Sequence, residues 1–117
     1  AFYYNDQQPD KIFYQGLAWR ALGDENRARG CFNKLIKHGE KHLFDTCRID
    51  YFAVSLPDLA IWEDDLNKRN RIHCNYVMGL GYLGLDEIPE AAGFLDKVIE
   101  LDINHQGAQI HRSLCDA

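Results

Sequence analysis

The chain is 117 residues long, about the size of one domain with one modest hydrophobic core. Hydrophobic residues make up 46% of it and charged residues 26%, the balance of an ordered globular protein rather than of a disordered tail. A net charge of -5 argues against nucleic acid as a partner, because phosphate contacts need clustered Lys and Arg.

The densest basic cluster, Lys68-Arg69-Asn70-Arg71, follows Glu63-Asp64-Asp65 and reads as charge balance along a helix. No apolar run approaches the roughly 20 residues that span a bilayer, so no membrane partner is expected. No signal peptide is recognisable, and Ala1-Phe2-Tyr3-Tyr4 reads as a cut into a longer protein. Cys31, Cys47, Cys74 and Cys115 form no C-x-x-C pair, which favours buried thiols in a reducing cytoplasm, although two disulfides stay arithmetically open.

The first predicted helix runs from Asp10 to Leu22, with Ile12, Phe13, Leu17, Trp19 and Leu22 at mixed three- and four-residue spacings. Such spacing suits a helix buried on more than one side. Pro9 precedes it and Gly23 stops it. Asp24 then caps a second helix, Glu25 to about Lys41, whose stripe is Ala28, Cys31, Phe32, Leu35 and Ile36. So short a connection makes the two an αα-hairpin.

From Leu43 to Trp62 the pattern is ambiguous. Ile49, Phe52, Ala53 and Leu56 fit a helix that Pro57 would stop, while Tyr51-Phe52-Ala53-Val54 fits a short strand; context favours the helix. Glu63-Asp64-Asp65 is expected to open a long helix that reaches about Leu83, since negative charge suits a helix N-terminus. Gly79, Gly81 and Gly84 would each cost about 1 kcal/mol against Ala in an exposed helix, so another backbone should approach there. Pro89 suits the first turn of a helix carrying Ala91, Ala92, Phe94, Leu95, Val98 and Ile99, which ends near Leu101. A last helix, Gln106 to Cys115, carries Ala108, Ile110 and Leu114.

Gly16 and Gly79 start two copies of one pattern, offset by 63 residues. Trp19 falls on Tyr82, Ala28 on Ala91, Phe32 on Leu95 and Leu35 on Val98. The glycine lets the first helix of each pair approach the second, the aromatic fills the space between them, and the alanine keeps the crossing tight. One such hairpin buries only part of its apolar surface, so neighbours must stack.

The order of these residues resembles the tetratricopeptide repeat, which runs Trp, Leu-Gly, Tyr, Ala, Phe, Ala, Pro over about 34 residues. The first unit, about 9–42, keeps Gly16, Trp19, Gly23, Ala28 and Phe32. The second, about 72–105, keeps Met78-Gly79, Tyr82, Ala91 and Leu101-Asp102-Ile103-Asn104, with Ile103 where the family has proline. The resemblance implies one all-α domain of antiparallel helical hairpins, stacked as a short right-handed superhelix. The insertion would be 43–71 and a capping helix about 106–116. The inserted stretch, with Tyr51-Phe52-Ala53-Val54-Ser55-Leu56-Pro57-Asp58, resembles the repeat-bearing tails of large bacterial proteins. Those carry an N-terminal domain of unknown function and are associated with carbohydrate-use genes.

In peptide-binding members of that family the first helix of each pair lines a groove. The positions that form a carboxylate clamp there correspond to Phe13 and Leu17 in one unit and to Tyr76 and Leu80 in the other. All four are apolar or aromatic, so no clamp is expected. Arg20 completes the candidate groove. A hydrophobic groove must be covered by the inserted segment, a second copy or the rest of a longer protein, because large apolar patches are rarely left open. Ordinary core burial of the four is the competing reading.

His38 and His42 share a helical face, and Cys47 stands nearby in sequence, but no third ligand has metal-site spacing; a solvated helix end is the plainer reading. His73 and Cys74 are adjacent on a helix and point about 100° apart. His105 and His111 have no acidic orienting partner by spacing. No catalytic, cofactor or metal residue is therefore expected. The sequence points to a non-catalytic scaffold that binds a polypeptide: another protein, its own missing domain or a second copy. The alternative is an accessory region of a larger carbohydrate-related bacterial enzyme.

Overall fold

A computed structural model describes residues 9–44 and 57–116. These contain five helices, α1 (Pro9–Ala21), α2 (Glu25–His42), α3 (Pro57–Gly84), α4 (Ile88–Leu101) and α5 (Gln106–Leu114), and no strand among the described residues. Each helix packs on the next in sequence, and α1 also meets α3. The protein is all-α, a run of antiparallel helical hairpins.

The turns explain why. At the end of α1, Gly23 takes the left-handed conformation (φ 87°), open to glycine at no steric cost. Its N–H then bonds the Arg20 carbonyl at 3.0 Å and the Asp24 N–H bonds the Trp19 carbonyl at 2.9 Å. That pair of bonds is a Schellman ending, which satisfies carbonyls the helix would otherwise leave open. Asp24 serves both helices, because its side chain also accepts from the Arg27 N–H at 3.0 Å and starts α2. Sixty-three residues later the same bonds recur: Asp86 N–H to Leu83 O at 3.1 Å, and Glu87 N–H to Tyr82 O at 2.9 Å. Asp86 itself sits at φ 65°.

Packing repeats with the same offset. A Cβ placed on Gly16 would lie 2.5 Å from the Phe32 ring, and one on Gly79 would lie 2.7 Å from Leu95 Cδ2. Phe32, Leu95, Ala28, Ala91 and Val98 have no solvent exposure. Burial of a side chain the size of Phe32 or Leu95 stabilises by roughly 1.5–3 kcal/mol. Trp19 lies half-buried beneath the Arg27 guanidinium, 4.6 Å from its ring centre. Tyr82 stacks flat on Phe94 of α4 at 5.4 Å. Both aromatics thus pack on the second helix of their own pair. The two hairpins meet through α2 and α3, where a Cβ on Gly81 would lie 2.8 Å from the Phe32 carbonyl oxygen. This is the close backbone approach that the glycine-rich stretch implied.

Several expectations need correction. The long helix opens at Pro57, six residues before the acidic triplet, so Glu63-Asp64-Asp65 lies inside α3 rather than at its start. Proline at a first helical position loses no hydrogen bond, since that N–H has no intrahelical partner anyway. The last part of the supposed 43–71 insertion therefore belongs to α3. The ambiguous run Tyr51-Phe52-Ala53-Val54 and Cys47 lie outside the described residues. Leu22, counted among the buried positions of the first helix, is 77% exposed because it falls in the turn. In α5 the buried positions are Ala108 and His111, whereas Ile110 and Leu114 face outward.

Candidate functional site

Three helices converge where a groove was expected. Tyr76 of α3 donates its hydroxyl proton to Asp10 Oδ1 of α1 at 2.6 Å. His111 of α5, 3% exposed, has Nδ1 at 2.7 Å from the Gly107 carbonyl. A carbonyl only accepts, so Nδ1 carries a proton towards it, and Nε2 lies 3.0 Å from the Tyr14 hydroxyl oxygen of α1, within hydrogen-bond distance. Tyr76 Oη also lies 3.4 Å from His111 Nδ1. Phe13 packs edge-on against the His111 ring at 5.4 Å. Every donor in this chain meets an acceptor, which buried polar groups require.

Phe13, Tyr76 and Leu80 belong to the core, with 2%, 6% and 0% exposure. Among the described residues α1 and α5 touch each other beside α3, through Tyr14 and Phe13 against His111. Leu17 is half-buried against the same core. Arg20 is engaged at the hairpin turn, where Nε and Nη2 donate to the two Glu25 carboxylate oxygens, both at 3.0 Å, and the guanidinium sits 5.2 Å over the Phe32 ring. Those bonds hold the Glu25 carboxyl below its ordinary range.

Burial, reinforced by the hydrogen bond to Asp10, pushes the Tyr76 phenol far above its usual titration range. A phenol held protonated this firmly donates hydrogen bonds and does not serve as a general base. Its ring forms one wall of a cleft of about 420 Å³ that Arg69, Ile72, His73, Asp102 and His105 also line. His105 is fixed there as the cap of α5, with Nδ1 accepting from the Ala108 N–H at 3.0 Å and its ring 4.7 Å from that of Tyr76. A second cleft, about 270 Å³, lies among Leu43, Phe44, Arg71, Asn75, Lys97, Glu100 and Leu101.

The other sequence candidates are placed as follows. His38 and His42 stand side by side with ring centres 4.7 Å apart, and His73 of α3 comes edge-on to His38 at 6.0 Å. Among the described residues no group of three or more His, Cys, Asp or Glu side chains is arranged to hold a metal ion. The Cys74 thiol points to Asn70 Oδ1 at 3.6 Å on its own helix. No helix of the described residues is long and apolar enough to cross a membrane.

The sequence reading missed Asp10, Tyr14 and His111 as one unit. A faint signal was present. Asp10 and Tyr14 are four residues apart on one face of α1, and His111 falls 34 residues after Val77, one repeat length on. No protein-family model matches the chain, and no solved structure matches it.

Proposed function

We propose that this chain is a non-catalytic scaffold of the tetratricopeptide type, which holds another polypeptide against its stacked helices. The observation that carries the reading is the duplicated hairpin. The same two turn bonds, the same glycine under a large apolar residue and the same buried alanine recur 63 residues apart. Stacked hairpins of this kind present long helical surfaces whose inner residues set shape and whose outer residues are free to vary. Exposed apolar side chains at Tyr14, Leu22, Phe44, Ile103, Ile110 and Leu114 supply surface for a partner. A reducing cytoplasm suits the thiols of Cys31 and Cys115.

The test is photo-crosslinking in the cells that make the protein. A photoreactive residue is placed in turn at Tyr14, Leu22, His105 and Ile110, with exposed Gly30 as the control position. A discrete protein adduct from one or more of the four sites, missing from the control, is expected. Free chain at every position would overturn the scaffold reading.

A further inference from the structure

Asn75 of α3 is 4% exposed, yet one end of its amide is idle. Its Nδ2 donates to the Arg71 carbonyl at 2.8 Å, and since a carbonyl only accepts, that bond fixes which end of the amide is which. The other end, Oδ1, accepts no hydrogen bond among the described residues. None of their side-chain oxygens and nitrogens is both sealed from solvent and without a partner, so Oδ1 opens to the space that Asn75 lines. That space is the cleft of about 270 Å³ where the end of α2 meets α3 and α4. The fold itself does not ask for an amide here. Sixty-three positions earlier the first hairpin has Ile12, buried and apolar. A polar group so deeply buried, with an idle acceptor, needs a reason outside the packing.

The rest of the lining divides by chemistry. Arg71, one turn before Asn75, and Lys97 and Glu100 of α4 are exposed, and none of the three makes an ion pair among the described residues. Two cations against one acid favour an anionic group. Leu43, Phe44 and Leu101 form the apolar part, and the Phe44 side chain is 87% exposed. The cleft is smaller than the roughly 300–1,000 Å³ of pockets that enclose a small molecule, and suits part of a chain that continues past it.

From the idle Asn75 oxygen and the chemistry around it we infer that this cleft holds an extended segment of the partner polypeptide. A backbone N–H of the segment donates to Asn75 Oδ1, an apolar side chain sits among Leu43, Phe44 and Leu101, and a carboxylate lies beside Arg71 and Lys97. The inference rests on the scaffold reading and names what the partner presents. A backbone N–H is the donor that every polypeptide offers. Side chains two apart in an extended chain lie on the same side, so one reaches the apolar part and the other the cations. A helix is the poorer occupant, because its interior N–H groups are already bonded within it. So is a second copy, whose described residues are helices joined by short turns.

The probe is a capped pentapeptide with leucine second, glutamate fourth and alanine elsewhere, titrated into the full chain and followed by amide NMR shifts. Saturable shifts of the Asn75 side-chain amide and of the Lys97 and Leu101 backbone are expected, with a Kd on the order of 1 mM. Alanine for the peptide's leucine should weaken binding about tenfold, and glutamine for its glutamate about threefold. In the protein, Asn75→Leu should weaken it about fivefold, the loss of one hydrogen bond. Leucine keeps the volume, and Ile12 shows that an apolar residue packs at this position, so melting should show intact folding. Arg71→Gln, at an exposed position, should weaken binding about threefold, while Lys34→Gln, exposed and away from the lining, leaves it unchanged. No saturation up to about 10 mM peptide overturns the inference. Equal binding by Asn75→Leu and Arg71→Gln overturns it, as does an equal loss in Lys34→Gln, which would mark general charge attraction. The same shifts from acetate at the same concentrations overturn it too, because the cleft then takes a small anion. Absent peptide shifts alongside protein adducts at the four crosslinking positions sink this inference and leave the scaffold reading standing.

Discussion

The hairpin of α1 and α2 and the hairpin of α3 and α4 share a turn down to its individual hydrogen bonds, yet they close it by different means. The first places glycine at the left-handed position, caps α2 with the Asp24 side chain and clamps the turn with the Arg20–Glu25 ion pair. The second strains Asp86 into that conformation, makes no side-chain cap bond at Glu87 and relies on the Tyr82–Phe94 stack. Backbone geometry is therefore what the repeat keeps, and side-chain chemistry is what it exchanges. The reason is energetic: a missing turn bond leaves a carbonyl unsatisfied, whereas a surface ion pair contributes under about 1 kcal/mol and is easily replaced.

The sharpest way to break the comparison is to delete the two equivalent core residues. Phe32→Ala should cost about 3–5 kcal/mol, and Leu95→Ala should cost less, within about 2–5 kcal/mol. Phe32 sits against Gly16 of its own hairpin and also against Gly84 of α3, whereas Leu95 sits against Gly79 of its own hairpin. Urea unfolding followed by circular dichroism gives both values. Equal losses would mean that the hairpins do not share Phe32 as a common centre.

A smaller effect sharpens how the first hairpin is tied to the second. Tyr76→Phe removes the bond to Asp10 and should cost about 1.5–3 kcal/mol at neutral pH, since the acceptor is charged. The folded state keeps the phenol protonated far above 10.0, its ordinary value, so the unfolded chain releases that proton first. The contribution of Tyr76 is thus complete below that pH and is lost as the pH rises beyond it. Between pH 9 and 11, on the order of the tyrosine range, the wild type should lose stability more steeply than Tyr76→Phe. Parallel curves would remove Tyr76 from the linkage.

The smallest effect tests the turns themselves. Gly23→Ala should destabilise by roughly 1 kcal/mol, because alanine is forced into a left-handed conformation, and Asp86→Gly should stabilise by up to about 1 kcal/mol. Thermal melts of the two single variants should move in opposite directions. Movement in the same direction would show that φ does not govern these turns.

Much of the fold was legible because it is written locally. Gly23 followed by Asp24 encodes a stop and a start within two residues. The stripe Ala28, Phe32, Leu35 has helical spacing, and the 63-residue recurrence pairs each glycine with the residue that covers it. The candidate site was far less legible. Phe13, Tyr76 and Leu80 read equally well as groove or core, since hydrophobicity says that a residue needs covering and not what covers it. His111 and Asp10 are a hundred and one residues apart in sequence and are linked only through the Tyr76 side chain, so no spacing rule joins them.

Helix positions, hairpin turns and the duplicated glycine contacts followed from the order of the amino acids, because short-range backbone bonds and helical periodicity depend on near neighbours. Tertiary structure alone decided that α1 and α5 meet beside α3, that Pro57 begins a helix, and that Ile110 and Leu114 stay outside while His111 goes in. Each of these depends on which distant surfaces come together in space, and burial is a property of that assembly rather than of any one segment.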